Sequence, residues 1–216
     1  METEAEMTTS EWTYWDLDWH YGEVFTDEDA EDPTKGRMWK PFMRLPDKLY
    51  YRLRWASPIA DWPDDVAADS YDDFPIEDLP LAVEAPMVSQ RTRELIERVA
   101  PGCAQFLPVT MTHRGKPMRI GRYWVMNMVK PVDCLDPELG TTTPVPERIA
   151  KHMPADSVQL VYERTRFLRS VVPADAALFR MRKQYITVVA RDDVREAFES
   201  HGITGVKFKP LPFRVV

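Results

Sequence analysis

An α+β fold is what this sequence predicts: a mostly antiparallel sheet with a few helices on one face, and an acidic, Pro-rich N-terminal extension wrapping the core. Three observations predict it. Short runs of β-branched and aromatic residues at period two recur between turn signals. Two amphipathic stretches with capping and stop residues interrupt them. The first 80 residues also differ in composition from the rest. They hold 21 Asp+Glu against 7 Lys+Arg, a balance of −14, whereas residues 81–216 hold 14 against 21, a balance of +7. The expected organisation is an acidic, Trp- and Pro-rich region over 1–85, packed on an α+β domain over 86–216.

The elements follow in order. Residues 1–10 read as a polar terminus. In EWTYWDLDWHYGEVF, Trp15, Leu17 and Trp19 share a face at strand period. Trp12, Trp15 and Trp19 also fit helix spacing, and the Trp and Tyr content favours strand. FTDEDAEDPTKG is an exposed acidic loop, and KLYYRLRWA is a second strand candidate. From Ser57 to Pro86 the chain carries Pro58, Pro63, Pro75, Pro80 and Pro86, a density that argues against long helices and central strands. The interspersed Trp62, Tyr71, Phe74, Ile76 and Leu79 favour an irregular wrap over a free linker. Ser89 N-caps a helix through Val99 with Leu95, Ile96 and Val99 as its apolar stripe, stopped by Pro101 and Gly102. CAQFLPVTM reads as a strand with an edge or bulge at Pro108. HRGKPM is a loop, and RYWVMNMV returns to complete a hairpin. VPERIAKHM suits a short helix, with SVQLVYER and QYITVVA as strands. DDVREAFESHG is the clearest helix: Asp192 or Asp193 caps it, Val194, Ala197 and Phe198 form its apolar face, and Gly202 closes it. GVKFKP is the final strand expected.

Composition limits the function classes. Hydrophobic residues make up 44% of the 216, enough for a sizeable core. The first 20 residues carry acid in place of a basic n-region, and no run of 18 apolar residues occurs, so a cytoplasmic protein without a membrane span is expected. Cys103 and Cys134, the two cysteines, read as reduced core residues.

The search for chemistry finds little. His20, His113, His152 and His201 lack metal-ligand spacing to one another or to cysteine. Asp16, Asp18 and His20 share a strand face but have no fourth ligand. Gly202-Ile203-Thr204-Gly205 is explained by a helix-terminating turn, and no P-loop, dinucleotide fingerprint, nucleophile elbow or zincin motif is present. A Cys134–His152 dyad has nothing in the sequence to orient it. Arg164, Arg166, Arg169, Arg180, Arg182 and Lys183, interleaved with Tyr162, Phe167 and Phe179, have the pattern of a nucleic-acid platform. The competing reading is a solvated strand face over buried aromatics, and the acidic chain favours it. No enzyme, metal or cofactor is expected.

Five blocks carry a family signal: VSQRTRELIERVAPG (Val88 to Gly102), AQFLPV (Ala104 to Val109), RYWVMNMVKPVDCLD (Arg122 to Asp136), LFR (Leu178 to Arg180) and HGITGVKF (His201 to Phe208). Together, over roughly residues 86–210, the chain resembles the Imm11 family, also called DUF1629, of bacterial immunity proteins. The resemblance implies a cytoplasmic binder, encoded beside a polymorphic toxin, that neutralises the toxin by protein–protein contact. Alternatives are a regulatory inhibitor or escort of an endogenous enzyme such as a protease, a nucleic-acid-binding module, and an uncharacterised enzyme. Arg91, Arg180, Gly202 and Gly205 are the structural family positions, the two arginines either as buried organising charges paired with an acid such as Asp133 or Asp136 or as partner contacts. The first 80 residues lie outside these blocks. Their charge nominates the partner surface: Asp27, Glu28, Asp29, Glu31, Asp32, Asp64, Asp65, Asp72 and Asp73, with Trp39 and Trp62 as anchors. The expected partner is a toxin or effector with a basic surface.

Overall fold

The aromatic segment near the start of the chain is threaded into a sheet built from the C-terminal half. Strand β1 (Tyr14–Trp19) pairs antiparallel with both β13 (Gln184–Arg191) and β14 (Val206–Pro210), and β12 (Leu178–Met181) adds beyond β13. In this computed structural model the described residues are 13–19, 42–43, 49, 52–53, 56–70, 78–82, 85–118, 121–136, 142–143, 159–160, 166–182, 184–211 and 214–216. The expected helix at VPERIAKHM lies outside them.

A second, seven-stranded sheet runs β2 (Phe42–Met43), β3 (Ala67–Ser70), β6 (Gln105–His113), β8 (Tyr123–Asn127), β5 (Ala85–Ser89) and β4 (Leu81–Ala82), with β7 (Lys116–Pro117) extending β6. Its pairs are antiparallel except β3 with β6, which is parallel. Two small pairs, β9 (Thr142–Thr143) with β10 (Gln159–Leu160) and β11 (Arg166–Phe167) with β15 (Arg214–Val215), complete the described strands. Helix α1 (Gln90–Val99) follows β5 directly, and α2 (Asp192–Ser200) follows β13.

Strand alternation sorts the side chains into separate cores. Val88, Trp124 and Met126 face one way, to meet Leu95 and Ile96 of α1, Val194 and Phe198 of α2, and Leu17, Leu178 and Val188 of the smaller sheet. Met87, Tyr123, Val125, Leu107 and Val109 face the other way, into a second core closed by Leu49, Leu53, Ile59, Val66 and Ala68. The far side of the smaller sheet forms a third, with Tyr14, Phe167, Phe179, Met181 and Val189. Both faces of β8 are therefore covered, and all five of its residues are buried. A run as apolar as YWVMN is what such a two-faced strand requires. Among the described residues no helix is long and apolar enough to cross a membrane.

The α+β architecture stands, and several local expectations change. Leu49, Arg52 and Leu53 are helical, where a strand was expected. The alternation of Tyr50 to Trp55 suggested period two, but the apolar pair four apart, Leu49 and Leu53, is what the second core buries, at 4% and 1% exposure. The described part of the proline-rich segment contributes Ile59, Val66, Ala68 and Leu79 to the cores, and it also supplies β3, held between β2 and β6. This strand sits in the gap between Pro63 and Pro75, where nothing removes a backbone donor. Pro86 is accommodated within β5 opposite Leu81.

Pro108 makes no bulge, since the β6–β8 register runs unbroken from Gln105 to Val109. Its carbonyl points away from β8 and accepts the Trp62 indole at 2.8 Å. The imide nitrogen of a strand residue faces the same side as its carbonyl, so β8 loses no bond. The local edge expected there exists, because β3 joins only from Thr110 onward. Helix α2 is N-capped by Arg191 without a side-chain bond, and Asp192 and Asp193 lie in its first turn. Finally, β15 follows β14, so GVKFKP is not the last strand.

Candidate functional site

Of the expected interface residues, Asp64, Asp65 and Trp62 are described; Asp27, Glu28, Asp29, Glu31, Asp32, Trp39, Asp72 and Asp73 lie outside the described residues. Asp64 and Asp65 occupy an exposed turn immediately before β3. The loop leading to it is fastened to the sheet by polar side chains, of which Asn127 is buried. Ile59 N donates to Gln105 Oε1 at 3.0 Å, and Gln105 Nε2 donates back to the Ile59 carbonyl. Asn127, fully buried, donates to the Ser57 carbonyl at 2.9 Å. Arg52 holds Asp61 at 2.6 Å and also reaches the Pro58 carbonyl. Trp62 is half-buried against the second core, with its N–H spent on Pro108. The acid doublet is thus displayed from a braced loop. Gln105 and Asn127 were not singled out from sequence. Asn127, a polar residue closing an apolar strand, was the available signal.

The family arginines behave differently from one another. Arg91 is exposed and pairs with Asp78, a residue no sequence feature distinguishes from its neighbouring acids. Arg91 Nε donates to Asp78 Oδ1 at 2.6 Å, and Nη2 reaches Oδ2. Nη2 also donates to the Gly202 carbonyl at 3.0 Å. The same carboxylate accepts from Ser89 Oγ at 2.9 Å, Thr204 N at 3.1 Å and Thr204 Oγ1 at 3.1 Å. Burial alone would raise the Asp78 pKa; the Arg91, Thr204 and Ser89 hydrogen bonds together outweigh it and bring it from 3.8 to about 2. Asp78 therefore ties three distant segments together: the proline-rich stretch, the N-terminus of α1 and the turn after α2. The expectation of a buried Arg91 paired with Asp133 or Asp136 is corrected accordingly.

Arg180 is buried at 3% exposure, and its Nη1 donates to the Leu53 carbonyl at 3.0 Å. It anchors the N-terminal helical residues to β12. Gly202 and Gly205 adopt positive φ of 58° and 85°, conformations that side chains disfavour. Gly202 follows the helix end, where Ile203 N returns to the Phe198 carbonyl at 3.0 Å. His201 Nε2 lies 3.0 Å from Arg98 Nη2 and its Nδ1 lies 2.8 Å from the Ala197 carbonyl. A guanidinium only donates, so Nε2 accepts and Nδ1 carries the hydrogen.

A cleft of about 820 Å³ opens between the end of α1, the Lys130–Asp133 segment and the stretch from Val171 to Phe179. Its wall includes Cys103, but burial pushes that thiol up to about 12, which leaves it protonated at neutral pH. Cys134 is buried and likewise pushed up to about 12 by burial, so it is unsuited to the dyad considered above; His152 lies outside the described residues. Both cysteines are unbridged. Among the described residues no group of three His, Cys, Asp or Glu could hold a metal ion. Of the arginine–aromatic pattern, Phe167 and Phe179, at 0% and 2% exposure, pack against Tyr14 in the third core, while Tyr162, Arg164 and Lys183 lie outside the described residues.

The model of the immunity protein family Imm11 matches residues 22–211, and the chain belongs to that family. This match extends well upstream of the blocks read from sequence and takes in most of the acidic region. Comparison with curated proteins gives no match.

Proposed function

We propose that this protein neutralises a cognate bacterial toxin by binding it directly, without catalytic turnover, in the cytoplasm of the producing cell. Membership of the immunity family supports the toxin role. The observation that carries the binding mode is the Asp64–Asp65 turn, exposed on a loop held rigid by Gln105, Asn127 and Trp62. With the −14 balance of residues 1–80, this turn belongs to an acidic face suited to a toxin with a basic surface. We extend the proposed partner-binding set to Asp27, Glu28, Asp29, Glu31, Asp32, Asp72 and Asp73, with Trp39 and Trp62 as anchors.

The test is co-expression with the toxin encoded beside this gene. The wild-type chain is expected to restore growth and to co-purify with the toxin. An Asp64→Asn/Asp65→Asn variant should associate more slowly, with a flatter salt dependence, because rim charge acts mainly on encounter. Failure of the wild type to protect or bind would overturn the reading.

A further inference from the structure

Strand β14 is the outermost strand of the smaller sheet, which runs β12, β13, β1, β14. The bonding of its neighbours decides which of its backbone groups face outward. In an antiparallel pair, residues opposite each other alternately exchange two hydrogen bonds and turn away from each other. Arg191 N donates to the Ala177 carbonyl at 2.9 Å, on the β12 side of β13. Arg191 and its opposite residue Tyr14 therefore turn apart. It follows that Trp15 and Leu17 bond toward β13, and Asp16 and Asp18 toward β14, where their partners are Lys209 and Lys207. That leaves the N–H and C=O of Val206 and Phe208 directed out of the sheet. Pro210 agrees with this assignment, since it shares their parity and its nitrogen has no hydrogen to give β1.

The outward groups lie open. Ahead of the strand the Thr204 carbonyl accepts from Leu79 N at 3.1 Å, but among the described residues none bonds the outward groups of Val206 or Phe208. A groove of about 320 Å³ runs along this edge, lined by side chains from both faces of β14: Val206 and Phe208 from one, Lys207 and Lys209 from the other. Phe198 of α2 and Ile203 of the turn after it continue the apolar side, with Phe198 edge-on to Phe208 at 5.8 Å. Donors and acceptors repeating at strand spacing beside an apolar groove match one kind of ligand, an extended main chain. A second copy of β14 fits poorly. The registers that keep the apolar face continuous would set lysine against lysine.

We propose that β14 takes an extended segment of the toxin as a further strand of the smaller sheet. The segment bonds to Val206 and Phe208 through its main chain. Its apolar side chains sit beside Val206, Phe208 and Ile203, and they alternate with carboxylates beside the exposed Lys207. This contact is additional to the Asp64–Asp65 turn and rests on the immunity reading above. Backbone pairing supplies affinity, and the groove and the lysine select the segment.

The test is amide hydrogen exchange read residue by residue on the full chain, alone and with the toxin encoded beside its gene. In the free chain the Val206 and Phe208 amides should exchange roughly tenfold or more faster than those of Lys207 and Lys209, which bond β1. Toxin binding should slow Val206 and Phe208 by at least roughly that factor. Val206→Pro removes an outward donor and sets a ring on the edge while leaving the β1 ladder intact. It should bind the toxin roughly tenfold or more weakly. If that variant fails to fold, the wild-type exchange pattern decides, together with Lys207→Gln, which keeps the edge and should slow association at low salt. Slow exchange of Val206 and Phe208 in the free chain, or unchanged exchange in a formed complex, would overturn the proposal and leave the immunity reading intact. Protection that grows with the concentration of the chain alone would overturn it in favour of self-pairing. A wild type that binds no toxin at all would remove the immunity reading itself.

Discussion

Replacing Asp78 by alanine should unfasten three segments at once, and the size of the effect can be worked from the structure. The depression of its pKa from 3.8 to about 2 corresponds to about 2.5 kcal/mol, at ~1.4 kcal/mol per unit. Arg91 is 55% exposed, which screens its share, whereas Asp78 is only 12% exposed and keeps Ser89 and Thr204 as donors. A loss of about 2 kcal/mol is expected for Asp78→Ala, or roughly 4–8 °C in Tm for a domain of this size. The sign of the pH dependence follows. A carboxylate whose folded pKa is depressed contributes stability that is present above the unfolded value of 3.8 and lost as pH falls toward about 2. Urea unfolding of wild type and Asp78→Asn should therefore differ most above pH ~4 and converge as pH falls through the folded pKa. Arg91→Ala should cost less than Asp78→Ala. Curves that stay parallel through this window, or a loss below about 0.5 kcal/mol for Asp78→Ala, would refute the clasp.

Other outcomes follow from the same contacts. Leu53→Ala, at a site 1% exposed in the second core, should cost about 2–5 kcal/mol by chemical denaturation. Cys103 and Cys134, with thiols pushed up to about 12, should resist alkylation in the native protein near neutral pH and react once it is unfolded. Rapid native labelling at both would contradict their burial. Trp62→Phe should lose about 1 kcal/mol of stability through the missing bond to Pro108; Trp62→Ala should also raise the off-rate from the toxin.

What could be read in advance divides along physical lines. Helix α1 was legible because its signals are local: Ser89 caps it by accepting from Thr92 N, and Leu95 and Ile96 form its stripe. The strand character of β1 was equally local. Its destination between β13 and β14 was not, since period two identifies a face and names no partner. The helical residues Leu49, Arg52 and Leu53 were misread because the aromatic alternation of Tyr50 to Trp55 in the sequence competes with the Leu–Leu spacing, and only tertiary burial decides between them. For the site, Asp64 and Asp65 were visible as a charge doublet, but the bracing by Gln105 and Asn127 depends on contacts across 46 and 70 positions. Asp78 was one aspartate among many until Arg91, Ser89 and Thr204 converged on it. The arginine–aromatic pattern around Phe167 and Phe179 shows the converse: the sequence interleaves the residues, and folding buries both rings, as the favoured reading expected.

Hydrogen–deuterium exchange of the complex with the neighbouring toxin tests the central claim most directly, because it locates the interface along the chain. New protection is expected over residues 57–70, which hold the braced acidic turn. A footprint confined to the cleft at residues 101–103, 130–133 and 171–182, or the absence of any complex, would contradict it.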